Sequence, residues 1–448
     1  MKWGICGDAM KLDSLGDWRR THLTDEISPK LAGKEVILMG RVVDARDLGG
    51  IKFFVLSDIS GSIQITAPKA KVDKKILDKI DALTKESAVA VKGKVVAAKQ
   101  APRGIEVVPA EIKILNLAET PLPLDPTGRA KANIDTRLDV RALDLRRPES
   151  LAIFKIRHQV LQTCRDYLVS KGFIEVNTPK IVATATESGA ALFPITYFER
   201  EAFLSQSPQL YKEVLTGCFD KVFEIGPIFR AEEHDTPRHL NEATSIDIEM
   251  AFATEDDVMK ILEESVSNIF SDVKKRCADE LKILEHKLEV QKTPFPRVTY
   301  NEAIKKLERA GLKMLWGEDL SMPAERKLGE LMGGAYFVTD WPSAIKPFYT
   351  MPREDNPKLA HAFDLMYKEI ELASGGTRVH QEELLTKQLK QKGLSPERFE
   401  SHIKNYRAGL PPHAGWGLGL DRLVMVLAGA DNIRECVLFP RDRQRLTP

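Results

Sequence analysis

Between residues 34 and 117, apolar and polar positions alternate in short β-branched runs: EVILMGRVVDAR, IKFFVLSD, GSIQITA, AVAVKGKVVAA and GIEVVPAEIKIL. Turn signals at Leu48-Gly49-Gly50 and Ser60-Gly61 separate them, a pattern that predicts strands. A helical stretch over about residues 71–84 interrupts the set. Five strands with a helix between the third and fourth predict an OB barrel, a frequent oligonucleotide binder. Another small β barrel would share the pattern. Phe53 and Phe54 are consecutive, so on a strand only one of them can face inward.

The alternation is lost over residues 118–149, where four prolines and many charges read as a linker. Leu151, Phe154, Val160, Leu161, Cys164, Tyr167 and Leu168 then recur at helical spacing. That helix should stop near Lys171-Gly172. FIEVNTPKIV reads as a strand ending at Pro179, and AFLSQSPQL leads into a helix. KVFEIGPIFRAEEH and EATSIDIEMAF read as two strands around a charged loop. Helical stretches follow at 255–283 and 381–406, and AHAFDLMYKEIELASGG reads as a strand pair. A last strand precedes the glycine string GWGLGLDR at 415–422, which opens a final helix. Long helices beside an antiparallel sheet predict an α+β domain. The expected organisation is an extension over 1–20, an OB-fold β barrel over 21–118, a linker over 119–149 and the α+β domain over 150–448.

Composition narrows the function classes. A chain of 448 residues, 43% hydrophobic and 29% charged, is globular and long enough for two or three domains. It has no run of eighteen apolar residues, and its first twenty lack the apolar core of a signal peptide, so no membrane partner is expected. The five cysteines (Cys6, Cys164, Cys218, Cys277, Cys436) show neither metal-ligand spacing nor a paired framework, which suits a reducing cytoplasm. The net charge is +1, so nucleic-acid binding would rest on local basic patches. Lys69, Lys71, Lys74 and Lys75, or Arg441, Arg443 and Arg445, would serve, or be solvated surface.

Four clusters carry candidate chemistry. Alternating glycines at 415–419 let backbone approach a flat ligand, and Arg422 follows to meet a base or a phosphate. In FRAEEHDTPRH, Arg230, Arg238 and His239 could clamp phosphates while Glu232 and Glu233 accept hydrogen bonds; a charged hairpin tip would look the same. Asp364, Glu371 and Ser374 offer hard oxygen ligands for Mg²⁺. Arg378 beyond them has the planar fork that binds a carboxylate, though an ordinary amphipathic strand is the alternative. Gln209 and Lys212 share a face at a helix start; alone, they would suit a capped helix with a solvated lysine.

In their order along the chain the clusters resemble the class II aminoacyl-tRNA synthetases. SKGFIEVNTPKI is similar to motif 1, FRAEEH…RH to motif 2 and GWGLGLDR to motif 3. With an OB barrel at the N-terminus, the likeness is to the subgroup charging aspartate, asparagine or lysine, most closely the aspartyl enzymes of archaeal type. ATATESGAALFP, QSPQLYK and the ending LFPRDRQRLTP carry it, over residues 21–448.

The resemblance implies a set of roles. Lys212 and Arg378 would hold the substrate side-chain carboxylate, with Glu187, Gln209 and Asp247 around its α-amino group. A buried ammonium left unpaired would reject asparagine. Arg230 would contact the ATP α-phosphate, Glu232 the adenine, and His239 and Arg422 the γ-phosphate end, making Arg230 and Arg422 the catalytic pair. Asp364, Glu371 and Ser374 would be the Mg²⁺ ligands. On the barrel, Phe53 would stack on the central anticodon base, facing outward, with Gln64 bonding it and Arg46 beside them. Tryptophan and lysine mark strict enzymes at the positions aligned with Val43 and Pro102, so their absence implies a relaxed enzyme charging tRNA(Asp) and tRNA(Asn). The family also implies a homodimer through motif 1. An asparaginyl enzyme is disfavoured by Lys212, and a non-catalytic paralogue by the presence of Arg230, Glu371 and Arg422. Three features depart from the pattern: residues 1–20 have no counterpart, Thr244 stands where relatives carry an aromatic, and Ala190 and Ala191 replace polar residues.

Overall fold

In the computed structural model, residues 12–183, 192–233 and 236–447 are described. The chain divides into two compact units, Met1–Lys131 and Ala132–Pro448.

The first unit is a closed barrel of β1 (Glu35–Asp47), β2 (Ile51–Ser57), β3 (Ser62–Pro68), β4 (Ala88–Ala97) and β5 (Ile105–Asn116), ordered β1-β2-β3-β5-β4. The helix α1 (Lys74–Asp81) lies between β3 and β4, where the sequence placed it. Asp73 caps α1 by accepting from Lys75 N. Alternation sends Val36, Leu38, Phe54, Leu56, Ile63, Ile65, Val89, Val91, Val107 and Ile114 into one core. Phe54 is wholly buried while Phe53 is half-buried, so Phe53 is the one that turns outward. Part of the predicted extension is ordered along β5. Asp13 N donates to Ile114 O at 2.8 Å, and Lys113 Nζ lies 4.7 Å from the Trp18 ring centroid.

The second unit begins earlier than the expected residue 150. Helices α2 (Ile134–Asp139) and α3 (Arg141–Asp144) occupy the stretch read as a linker. Arg141 is buried there, bonding Asp144 at 2.5 Å and the carbonyls of Glu435 and Val437. Charge had disguised a buried ion pair as a solvated segment. Helix α4 (Pro148–Ser170) follows, then β6 (Ile174–Glu175), β7 (Ile181–Val182), β8 (Pro194–Tyr197) and β9 (Arg200–Leu204). FIEVNTPKIV is thus two short strands in different sheets rather than one. Next come α5 (Gln209–Phe219), β10 (Lys221–Phe229), β11 (Glu242–Ala251), α6 (Glu255–Arg276), α7 (Ala278–Ile283), β12 (Arg297–Thr299), α8 (Tyr300–Arg309), α9 (Met322–Met332) and β13 (Ala335–Thr339). The chain ends with β14 (Ala362–Tyr367), β15 (Ile370–Thr377), α10 (Glu382–Gln391), α11 (Glu400–Tyr406), β16 (His413–Gly419) and α12 (Leu420–Ala428). The glycine string is itself the last strand, not a loop after it.

The main sheet has the order β12-β13-β14-β15-β16-β11-β10-β6 and is antiparallel except at β12·β13 and β10·β6. Ile246, Ile248, Phe363, Leu365, Trp416 and Leu418 face α4, α6 and α12 in one apolar core. Because successive side chains change sides, the residues between them are directed to the opposite face. That face carries the candidate site.

Candidate active site

Strand register assembles the polar face. Asp364 pairs with Ser374, Ser374 with Gly417, Gly417 with Asp247 and Asp247 with Glu224. One row across five strands therefore holds three of the predicted site residues. A bulge adds a fourth. Leu365 pairs with Ala373 and Met366 with Glu371, leaving Leu372 as an extra residue. Three residues apart, Glu371 and Ser374 would face opposite ways on a regular strand; the bulge returns Glu371 to the side of Ser374. Both line the same cavity, of about 330 Å³.

Gln209, Arg230, Glu232, His239, Asp247, Arg378 and Arg422 line that cavity too. Arg422, in the first turn of α12, donates from Nη1 to Glu371 O at 3.1 Å. His239 bonds Thr236 Oγ1 at 2.6 Å. Glu232 lies 3.9 Å from both Arg230 and His239. Asn241, which sequence reasoning passed over, donates from Nδ2 to Arg230 O at 2.7 Å and to Glu232 O at 3.0 Å. It ties down the backbone on either side of Ala231, at the start of that charged segment. Glu325 on α9, also passed over, is pushed up to about 7 by burial and by the Glu371 carboxylate, against the pull of Arg238 and Arg422.

Lys212 does not line the cavity; it lies one contact below, 2% exposed. Its Nζ bonds Asp247 Oδ1 at 3.0 Å and Trp416 O at 3.1 Å, and sits 3.3 Å from Glu249 Oε2. Arg378, 4% exposed, donates from Nε to Glu249 Oε1 at 3.0 Å and lies over the Tyr349 ring. Burial works against its charge, but the Glu249 carboxylate outweighs that and holds its pKa above the usual value. Two cations and two carboxylates thus form a buried network of paired charge, in which Glu249 Oε2 has the Lys212 ammonium 3.3 Å away but no hydrogen bond.

Glycine makes this packing possible. A Cβ at Gly415 would collide with Glu249 Oε2 and Ile248 O, and one at Gly417 would lie 3.0 Å from Asp247 Oδ1. Gly417 and Gly419 line the cavity as the alternation implied, whereas Gly415 makes room for a carboxylate of the neighbouring strand. Gly415→Ala should therefore destabilise the protein by about 1–3 kcal/mol, as overpacked sites do. Chemical denaturation would show it as a lower midpoint, and an unchanged midpoint would mean the strands can part freely.

Among the described residues no cluster of three or more His, Cys, Asp or Glu could alone hold a metal. Glu371 and Ser374 are oxygen donors facing the cavity, which fits a hard cation that keeps waters and shares a substrate's phosphates. Asp364 is differently placed. It is buried and held by Lys346 Nζ at 2.8 and 3.0 Å. Burial pushes it up to about 6, with Lys346 opposing and Glu371 adding to the shift. Glu187 lies outside the described residues, as do Ala190 and Ala191. Thr244, the departure after motif 2, takes up a bond instead: Arg157 Nη2 donates to its Oγ1 at 3.0 Å, and its own N–H meets Asp421 at 2.7 Å.

On the barrel, Arg46 pairs with Phe53 and Phe53 with Thr66 across three strands. Gln64 shares that outer face, its Nε2 donating to Thr66 Oγ1 at 3.0 Å and Glu106 Oε2 at 3.3 Å. Because a carboxylate only accepts, Glu106 fixes the NH₂ as the end of the Gln64 amide that it meets. Val43 sits at the β1 bulge, and Pro102 is exposed in the β4–β5 loop that Arg103 pins to Thr24 O at 2.8 Å.

Comparison with known proteins agrees with both halves. Residues 133–443 match the tRNA synthetases class II (D, K and N), and residues 36–115 match the OB-fold nucleic acid binding domain. The Aspartate--tRNA(Asp/Asn) ligase of Methanococcus aeolicus is 56% identical, covering 97% of this chain and 100% of its own. That of Methanothermobacter thermautotrophicus is also 56% identical, with the same coverage. Among solved structures, asparaginyl-tRNA synthetase from Pyrococcus horikoshii complexed with asparaginyl-adenylate superposes with a TM-score of 0.91 at 33% identity, over 96% of this chain and 100% of that one. A putative aspartyl-tRNA synthetase from Leishmania major gives 0.87 at 30% identity, over 98% of each. With its catalytic unit, its barrel and relatives matched along nearly their whole length, this chain belongs to the class II tRNA synthetases of the D, K and N group, within the aspartate–tRNA(Asp/Asn) ligase family.

Proposed function

We propose that the chain is an ATP-dependent aspartate–tRNA ligase that charges both tRNA(Asp) and tRNA(Asn). The observation that carries this is the pairing of Lys212 and Arg378, two buried cations, beside the cavity that Arg230 and Arg422 line. The fold does not choose the amino acid, since asparaginyl enzymes superpose on it as well as aspartyl ones. Cations do choose: Arg378 lines the cavity, and a guanidinium offers only N–H groups, which a carboxylate accepts at both oxygens and a neutral amide at one. The relatives' printed name, which includes both tRNAs, supports the wider specificity.

In this reading the aspartate side chain meets Arg378, with the Lys212 charge one contact below, and the aspartate ammonium meets Asp247, Gln209 and, by resemblance, Glu187. Its α-carboxylate is already ionised, so attack on the α-phosphate needs no protein base. Arg230 neutralises charge developing at that phosphorus, while His239 and Arg422 hold the leaving pyrophosphate. Glu232 reads the adenine amino group. Glu371 and Ser374 would hold Mg²⁺, with Asp364 behind them, and the ion when bound neutralises phosphate charge. The aspartyl group then passes to the 3′-hydroxyl of the tRNA. Phe53, Gln64 and Arg46 read the anticodon by stacking and edge hydrogen bonds, as single-stranded RNA is read. Exposed Val169, Ile174 and Ile181 in and beside motif 1 support a homodimer. Among the described residues no helix is long and apolar enough to cross a membrane, which agrees with a cytoplasmic enzyme.

The test is aminoacylation of tRNA(Asp) and tRNA(Asn) transcripts with labelled aspartate, with labelled asparagine in parallel. Aspartate on both tRNAs is expected. Aspartate on tRNA(Asp) alone would overturn the relaxed reading, and asparagine transfer would overturn the substrate. Val43→Trp combined with Pro102→Lys should lower charging of tRNA(Asn) relative to tRNA(Asp) by about tenfold, the order of one misread base. An unchanged ratio would remove both positions from tRNA choice.

A further inference from the structure

A buried carboxylate that the mechanism does not use lies directly behind the cavity. Glu213 is 0% exposed and sits one turn after Gln209 on α5, the spacing that places two side chains on one face. Gln209 Nε2 donates to Glu213 Oε1 at 2.6 Å. The other oxygen is held from α11, by Tyr406 Oη at 3.0 Å and His402 Nε2 at 3.2 Å. Burial alone would raise the pKa of Glu213, but the His402 hydrogen bond and its neighbouring cations bring it down to about 2. It is ionised throughout the working range and is an acceptor only.

An amide head has two unlike ends. With its NH₂ turned to a carboxylate that only accepts, Gln209 keeps one N–H on Glu213 and has Oε1 at the opposite end of the amide for the cavity it lines. A substrate ammonium donates and cannot accept, so it needs that oxygen; a flipped amide would offer N–H to N–H. We infer that Glu213 is a positioning residue that fixes the Gln209 carbonyl towards the α-ammonium of the bound amino acid, and so sets recognition of that group from behind the site. The inference rests on the aspartate reading above.

Glu213→Gln tests it with little change in shape. The introduced amide would keep its oxygen towards Tyr406 and His402 and turn its NH₂ towards Gln209, forcing the unfavourable flip. In pyrophosphate exchange by the full chain, KM for aspartate should rise about tenfold, the size of one lost hydrogen bond to a charged group. KM for ATP and kcat should stay near wild type. Succinate keeps both carboxylates and lacks the ammonium, so its inhibition constant should not move. Equal weakening of aspartate and succinate, or no change in either, would overturn the role. If Glu213→Gln does not fold, Tyr406→Phe removes one anchor of the carboxylate. It should raise the aspartate KM about threefold, a fraction of one hydrogen bond, with succinate again unmoved; a parallel loss of both or no change would count against the role. Wild-type protein that fails to exchange with aspartate would instead defeat the substrate reading itself.

Discussion

Lys212→Leu should lower aspartate-dependent pyrophosphate exchange by about 10³-fold or more, with ATP binding retained. The size follows from what the substitution leaves behind. Lys212 Nζ bonds Asp247 and the Trp416 carbonyl and faces Glu249, all within 3.3 Å. Truncating one partner of a desolvated charge pair in a recognition site costs about 2–5 kcal/mol of binding, and about 4 kcal/mol is a factor of 10³. The substrate carboxylate would also enter a pocket with one cation in place of two. Exchange kinetics with aspartate, together with equilibrium binding of ATP, check this. Unchanged exchange would sink the assigned role, and loss of ATP binding in step would point to a collapsed site.

Arg230→Ala should reduce adenylate formation by about 10³-fold, within the range seen when a charge-stabilising group is lost from phosphoryl transfer. Its side chain is 46% exposed, so the loss falls on chemistry more than on packing. Thermal stability should stay close to wild type. Single-turnover formation of the adenylate separates the two effects, because a purely binding role would raise KM for ATP and leave the rate at saturation intact. Retained saturated rates would transfer the α-phosphate role to Arg422.

Much of this is legible in the amino-acid sequence. The barrel strands appear within a residue or two of their expected bounds, because each alternates cleanly between a core and a wet face, as at Phe53 and Phe54. The three motifs were legible because their glycines, arginines and carboxylates are dense and ordered along the chain. Residues 134–147 were misread because Arg141 and Asp144 are charged, and charge usually means solvent; here each buries the other. The helices α8 and α9 and strand β13 went unmarked, since their apolar positions are sparse or short.

What sequence alone determined is the inventory: an OB barrel, an α+β catalytic unit, and the residue types that a carboxylate, an ammonium and a triphosphate require. Only the tertiary structure decided their arrangement. It sets Asp364, Ser374, Gly417 and Asp247 in one row by register. It brings Glu371 to the face of Ser374 through a bulge, and it lowers Lys212 beneath the cavity beside Glu249. It also shows why Gly415 must be glycine and where Glu213 bears on Gln209. The reason is physical. Periodicity reports which side of its own strand or helix a residue occupies, but which partner it meets there depends on register between strands distant in sequence.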